Sequence, residues 1–163
     1  MKELSPTFKI VTVWLLVGLA IFLGLQAWQA EQRRMRFSTG DGGSIEIRRA
    51  DDGHYHWPGR VNGVAVEFLI DTGATTTALP SAVAERAGLV AEGRVTSSTA
   101  GGTVQGVQAR ADIELDGGVR AQQLRVAVLP SLASPLLGMD ILSRLHLTQG
   151  DGVMRLRPPA PGP

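Results

Sequence analysis

Apolar and polar positions change places every few residues along most of this chain, and one stretch breaks that habit. From Ile10 to Ala30 no residue is charged, Leu, Val, Ile, Ala and Trp dominate, and Lys9 and Glu31 close the run on either side. At about 1.5 Å per residue, a helix of that length spans roughly 30 Å, the thickness of a bilayer hydrocarbon core. The pattern predicts one transmembrane helix at 10–30 behind a short flank at 1–9. The run is long for the apolar part of a signal peptide, and Gln26-Ala27-Trp28-Gln29-Ala30 offers no clean small-residue cleavage site, so an uncleaved anchor is expected. Trp14 and Trp28 stand toward its ends, where amphipathic rings favour the interface. Ala20 and Gly24 form a small-xxx-small pair of the kind that lets two spans approach.

The rest of the chain reads as short strands. Residues 31–43 are charged and Gly-rich and are expected to be a tether. Ser44 to Arg48 alternates as a half-buried strand, and Asp51-Asp52-Gly53 is a turn. Pro58-Gly59 and Asn62-Gly63 are turn signals between β-prone runs, so a hairpin is expected to feed the strand that ends at Ile70. Thr75 to Pro80 continues as strand and turn. Ser81 is placed to cap a short helix to Arg86 or Ala87, stopped by Gly88. Arg94 to Gly106, small and hydroxyl-rich, reads as a hairpin. Gln108 to Glu114 and Ala121 to Leu129 are strands around Asp116-Gly117-Gly118. Leu136-Leu137 is an apolar strand ending in Gly138, after which Asp140 is expected to cap a helix from Ile141 to Leu145. Val153 to Arg157 is a last strand, and 158–163 is a Pro-rich, unstructured tail. The expected fold is therefore all-β: one closed domain at 44–157 with one or two short helices, behind a single transmembrane helix.

Composition narrows the function. The chain has 163 residues, 44% of them hydrophobic, with 20 Gly, enough for one modest domain beyond the apolar run. A formal net charge of +1 provides no basic field for nucleic acid. With no Cys, disulfides, thiolate catalysis and Cys-based zinc sites are excluded. His54 and His56 share a strand face but have no evident third ligand, so no metal and no cofactor is expected. Lys2 and Lys9 precede the apolar run while Arg33, Arg34 and Arg36 follow it, a count that leans toward a cytoplasmic C-terminal domain.

The candidate chemistry lies in Val66-Glu67-Phe68-Leu69-Ile70-Asp71-Thr72-Gly73-Ala74-Thr75. An apolar, β-prone run delivers the Asp71 carboxylate to a strand end, and Gly73 lets the chain turn back at once. D-T-G alone is also an ordinary polar turn. With Asp52-Gly53-His54, Val61-Asn62-Gly63 and Leu136 to Leu142, however, the chain resembles the retropepsin-like aspartic proteases, and more closely their membrane-tethered bacterial members.

That resemblance implies an endopeptidase acting on peptides or proteins. Two carboxylates share one proton, one taking a proton from the attacking water while the other donates to the scissile carbonyl. The chain carries a single D-T-G and is too short for a two-lobed arrangement, so the second Asp71 must come from a second copy across a two-fold axis. Thr72 is implied to hydrogen-bond across the dyad and Gly73 to permit close backbone approach. Ala74 matches the dimeric branch, and Gly138 is implied to pack behind the catalytic turn. The hairpin at 94–106 falls where these enzymes carry a flap, with Thr99, Gly101 and Gly102 at its tip. The terminal strand is implied to join the subunit interface. The resemblance also implies a domain on the periplasmic side of a bacterial inner membrane. Two alternatives remain open: a catalytically silent dimerisation or peptide-binding module of the same fold, and an anchored assembly protein whose D-T-G is only a turn.

Overall fold

The computed structural model describes residues 6–35, 37–39, 43–99 and 102–158. The chain divides into two compact units, 1–36 and 37–163.

The first unit is a single helix, α1 (Pro6–Met35). Its described side chains, at 10–26, are all exposed, Leu15 at 69% and Trp14 at 70% among them. Among the described residues, no helix is long and apolar enough to cross a membrane. The described side chains form a shorter stretch than the uncharged run of 10–30 on which the anchor was expected.

The second unit is built from two sheets. One has the order β1 (Phe37–Thr39), β2 (Ile45–Arg48), β11 (Val153–Arg157), β10 (His146–Gly150), antiparallel throughout. The other runs β3 (His56–Val61), β4 (Val64–Ile70), β9 (Leu136–Leu137), β5 (Ala78–Pro80), β8 (Arg120–Leu129), β7 (Gly102–Leu115), β6 (Ala91–Thr99). It closes on itself where β3 also pairs with β7, Gly59 opposite Leu115. β4–β9 and β5–β8 are parallel pairs within an otherwise antiparallel ring. Closure leaves β3 and β7 no open edge there and gives the expected closed, mostly-β domain.

Alternation produces the core. In β7, Ala109, Ala111, Ile113 and Leu115 are buried while Arg110, Asp112 and Glu114 face water. Trp57, Phe68, Leu79, Leu137, Ile141 and Leu156 are at most 1% exposed and belong to one continuous cluster. Trp57 keeps its indole N–H satisfied by donating to the Asp116 carbonyl at 2.8 Å.

Several local expectations need correcting. Pro58-Gly59 is no turn but lies inside β3. A Cβ on Gly59 would lie 2.6 Å from the Glu114 carbonyl oxygen, so glycine is what lets β7 come close enough to close the ring. Ser81 is the first residue of α2 (Ser81–Arg86), whose N-cap is Pro80, with no side-chain cap. Asp140 sits within α3 (Met139–Leu142), whose N-cap is Gly138. Ser143 to Leu145 continue only as tight turns, Arg144 and Leu145 donating to Ile141 and Leu142 carbonyls at 3.1 and 3.0 Å. Within 31–43, α1 runs on to Met35 and Phe37 to Thr39 form β1, while 40–42 lie outside the described residues. β11 is flanked on both sides by strands of its own chain, β2 and β10, so it offers no free edge to a second subunit. The expected tail at 158–163 lies outside the described residues beyond Pro158.

Candidate active site

Asp71 follows directly on β4, and its position is set from two directions. Its backbone N–H donates to the Leu137 carbonyl at 3.1 Å, tying the strand end to β9. Its Oδ1 accepts from the Gly73 N–H at 2.9 Å, and its carbonyl accepts from the Ala74 N–H at 3.2 Å. The first bond is an Asx turn: a short acid folds the chain back and holds its own carboxylate still. Asp71 is half-buried, Thr72 and Gly73 are exposed, and Ala74 is half-buried.

The segment from Ala74 to Thr77 is laced to the β9–α3 junction. Met139 and Asp140 donate backbone N–H groups to the carbonyls of Ala74 and Thr75, at 2.8 and 3.2 Å. Thr77, 0% exposed, donates its hydroxyl to Asp140 Oδ1 at 2.7 Å and its backbone N–H to Oδ2 at 2.8 Å. The same hydroxyl accepts from the Gly138 N–H at 3.2 Å, and Asp140 Oδ1 also accepts from the Ile141 N–H at 3.0 Å. A Cβ on Gly138 would stand 2.6 Å from the Thr76 carbonyl carbon and 2.8 Å from the Thr77 nitrogen. Gly138 thus packs directly against Thr76-Thr77, two strands' width of backbone brought into contact.

Thr77 and Asp140 were not singled out together by sequence reasoning. Asp140 looked like a helix cap because Asp commonly is one, but its carboxylate reaches across to a segment 63 residues earlier. Nothing in the run of three threonines marks the third as the buried one.

Asp71 opens into a cleft of about 700 Å³. Ala78, Ala127, Leu129, Leu132 and Leu136 give it an apolar floor, and Val95, Thr96 and Ser97 of β6 form a wall. The β6–β7 hairpin therefore faces the carboxylate. Its last described pair is Thr99 opposite Gly102; Gly101 lies outside the described residues. His54 and His56 lie elsewhere: His56 Nε2 is 2.7 Å from Asp52 Oδ2. Asp52 also accepts from the His54 N–H at 2.9 Å, and these two bonds, the backbone one first, hold its carboxyl below the usual range. Among the described residues no group of three or more His, Asp or Glu could hold a metal ion.

Residues 57–144 match the family described as "gag-polyprotein putative aspartyl protease". The chain belongs to that family. The matched segment holds Asp71, the Thr77–Asp140 bridge and every described residue that lines the cleft. Among solved structures, a retropepsin-like aspartic protease from Rickettsia conorii is 24% identical with a TM-score of 0.56, over 74% of this chain and 92% of that one. That likeness shows the retropepsin-like fold. The EIAV protease, solved with an inhibitor, is 24% identical with a TM-score of 0.45, over 54% of this chain and 84% of its own. No curated protein matches.

Proposed function

We propose that the chain is an aspartic endopeptidase active as a homodimer, in which the Asp71 carboxylates of two copies activate one water for attack on a peptide bond. The observation that carries this reading is the held Asp71 carboxylate, fixed by the Gly73 N–H and half-buried at the rim of an apolar cleft. One chain brings one such acid, whereas the reaction needs an ionised and a protonated carboxyl side by side. Thr72, exposed beside Asp71, is available to bond across the two-fold axis. With both edges of β11 occupied within the chain, a dimer would not form by adding a strand to β11.

The proposal includes anchoring through residues 10–30, supported by the uncharged run within one helix. Confinement to a plane would raise the effective concentration of the two halves. A location on the periplasmic side of a bacterial inner membrane rests on the family resemblance. Because the chain has no Cys, a single Val90→Cys, at a side chain 77% exposed, reports the side by labelling with a membrane-impermeant maleimide. Labelling only after the cells are lysed would refute the periplasmic placement.

The deciding experiment compares full-length wild type and Asp71→Asn in detergent for cleavage of an unfolded protein, with dimer content followed by sedimentation. Cleavage confined to wild type, at equal dimer content, is the expected result. If both variants dimerise and neither cleaves, the silent-module reading replaces this one.

A further inference from the structure

β8 presents Arg125, Ala127 and Leu129 on one face, and Ala127 and Leu129 are the apolar floor of the Asp71 cleft. Arg125 continues that floor and lines the same cleft. Apart from Asp71, it is the one charged side chain among the described residues lining it. It is exposed and has no hydrogen-bond or ion-pair partner among the described residues.

Its setting makes that freedom costly. Arg125 stands directly opposite Arg110 across β7 and β8, and like charges facing each other on a sheet destabilise it. Arg110 is neutralised: its Nε donates to Glu92 Oε1 and Oε2 at 3.1 and 3.2 Å. Only one acid is supplied for two guanidiniums, and the one left without is the one in the cleft.

We propose that Arg125 is a specificity-determining residue that selects substrates carrying a carboxylate side chain a few residues from the cleaved bond. This rests on the endopeptidase reading above. Counting across the sheet, β4, β9, β5 and β8 are successive neighbours, so Arg125 lies on the order of 15 Å from Asp71. An extended peptide advances about 3.3 Å per residue, and the arginine side chain itself reaches back, which places the acidic residue roughly three or four positions from the bond. A guanidinium can take both oxygens of a carboxylate, and flanking aliphatic residues would rest on Ala127, Leu129 and Leu132. In a two-fold dimer the preference applies on both sides of the bond.

The test uses the full chain carrying Asp71→Asn, so that bound peptide is not cut, and fluorescence anisotropy with labelled peptides. Each peptide has leucines at its centre and Glu, Gln or Lys at one outlying position, scanned through the third and fourth on either side. At one of these positions the Glu peptide is expected to bind about fivefold tighter than the Gln peptide, the advantage shrinking as salt is raised. Arg125→Gln should erase the ratio, Arg125→Lys should retain part of it, and Arg125→Glu should turn it in favour of Lys. Melting curves identify any variant that fails to fold, and the remaining two then carry the comparison. Equal binding of Glu and Gln peptides at every position, a preference surviving Arg125→Gln, or no binding of any peptide overturns the proposal. Parallel cleavage by the Asp71 chain separates the two readings. Cleavage without charge preference sinks only the role of Arg125, whereas charge-selective binding without cleavage sinks only the endopeptidase.

Discussion

Thr77→Val tests how the candidate active site is held together. The side chains have nearly the same shape, so the change removes a hydroxyl and little else. Two bonds are lost: the one donated to Asp140 Oδ1 at 2.7 Å and the one accepted from the Gly138 N–H at 3.2 Å. The first goes to a carboxylate, worth about 1.5–3 kcal/mol, and the second leaves a buried N–H without a partner, which costs about 1–3 kcal/mol. The backbone bond from Thr77 to Asp140 Oδ2 persists and limits the damage. We expect a loss of about 3 kcal/mol, or roughly 10 °C in Tm for a domain of this size, in thermal unfolding of the full chain followed by far-UV circular dichroism. Thr77→Ser keeps the hydroxyl and should recover most of the loss. The hydroxyl bridges Gly138 to Asp140, and Leu137 receives the Asp71 N–H, so cleavage should fall more than the unfolded fraction explains at a temperature well below both melting points. A loss under about 1 kcal/mol, or a Thr77→Ser variant as weak as Thr77→Val, would refute the reasoning.

Gly138→Ala forces a methyl against the Thr76 and Thr77 backbone, where no flexible side chain can yield; a loss of about 1–3 kcal/mol and reduced cleavage are expected, and a chemical-denaturation midpoint equal to wild type would count against that packing. Glu46, whose Oε1 accepts from Arg155 Nε at 2.6 Å, is held below its ordinary 4.5 by that hydrogen bond and charge. A lowered carboxylate adds stability above its unfolded value and loses it as pH falls through the folded one, so the advantage of wild type over Glu46→Gln should be complete above 4.5 and fade as pH falls below it. Because both groups are exposed, the effect should be small and sensitive to salt, and an NMR titration midpoint at or above 4.5 would contradict it.

The strands with their own alternation were legible from sequence: β7 repeats buried and exposed positions from Ala109 to Leu115, and β4 ends at Ile70, directly before Asp71, as its apolar run requires. What escaped were the strands made by their neighbours. Phe37-Ser38-Thr39 and His146-Leu147-Thr148-Gln149-Gly150 carry weak patterns and are strands because β2 and β11 offer them an edge. Pro58-Gly59 has the composition of a turn and the context of a ring closure. At the site, Asp71 and its turn could be read from the D-T-G run. The Thr77–Asp140 bridge and the place of Arg125 in the cleft could not, since both depend on which distant strands lie side by side.

The sheet in which β2 and β11 pair sets an order on how the protein comes into being. Ile45 to Arg48 find their partner in residues that leave the ribosome more than a hundred positions later. Loop closure of that length is slow, and until it happens the β2 edge that carries Ile45 and Ile47, both fully buried in the finished domain, lacks its β11 partner. Asp71 is synthesised early, yet the domain around it is complete only when the last strand is. A chain broken off before Val153 lacks the strand that pairs with both β2 and β10, so the sheet that Ile45 and Ile47 belong to is never finished.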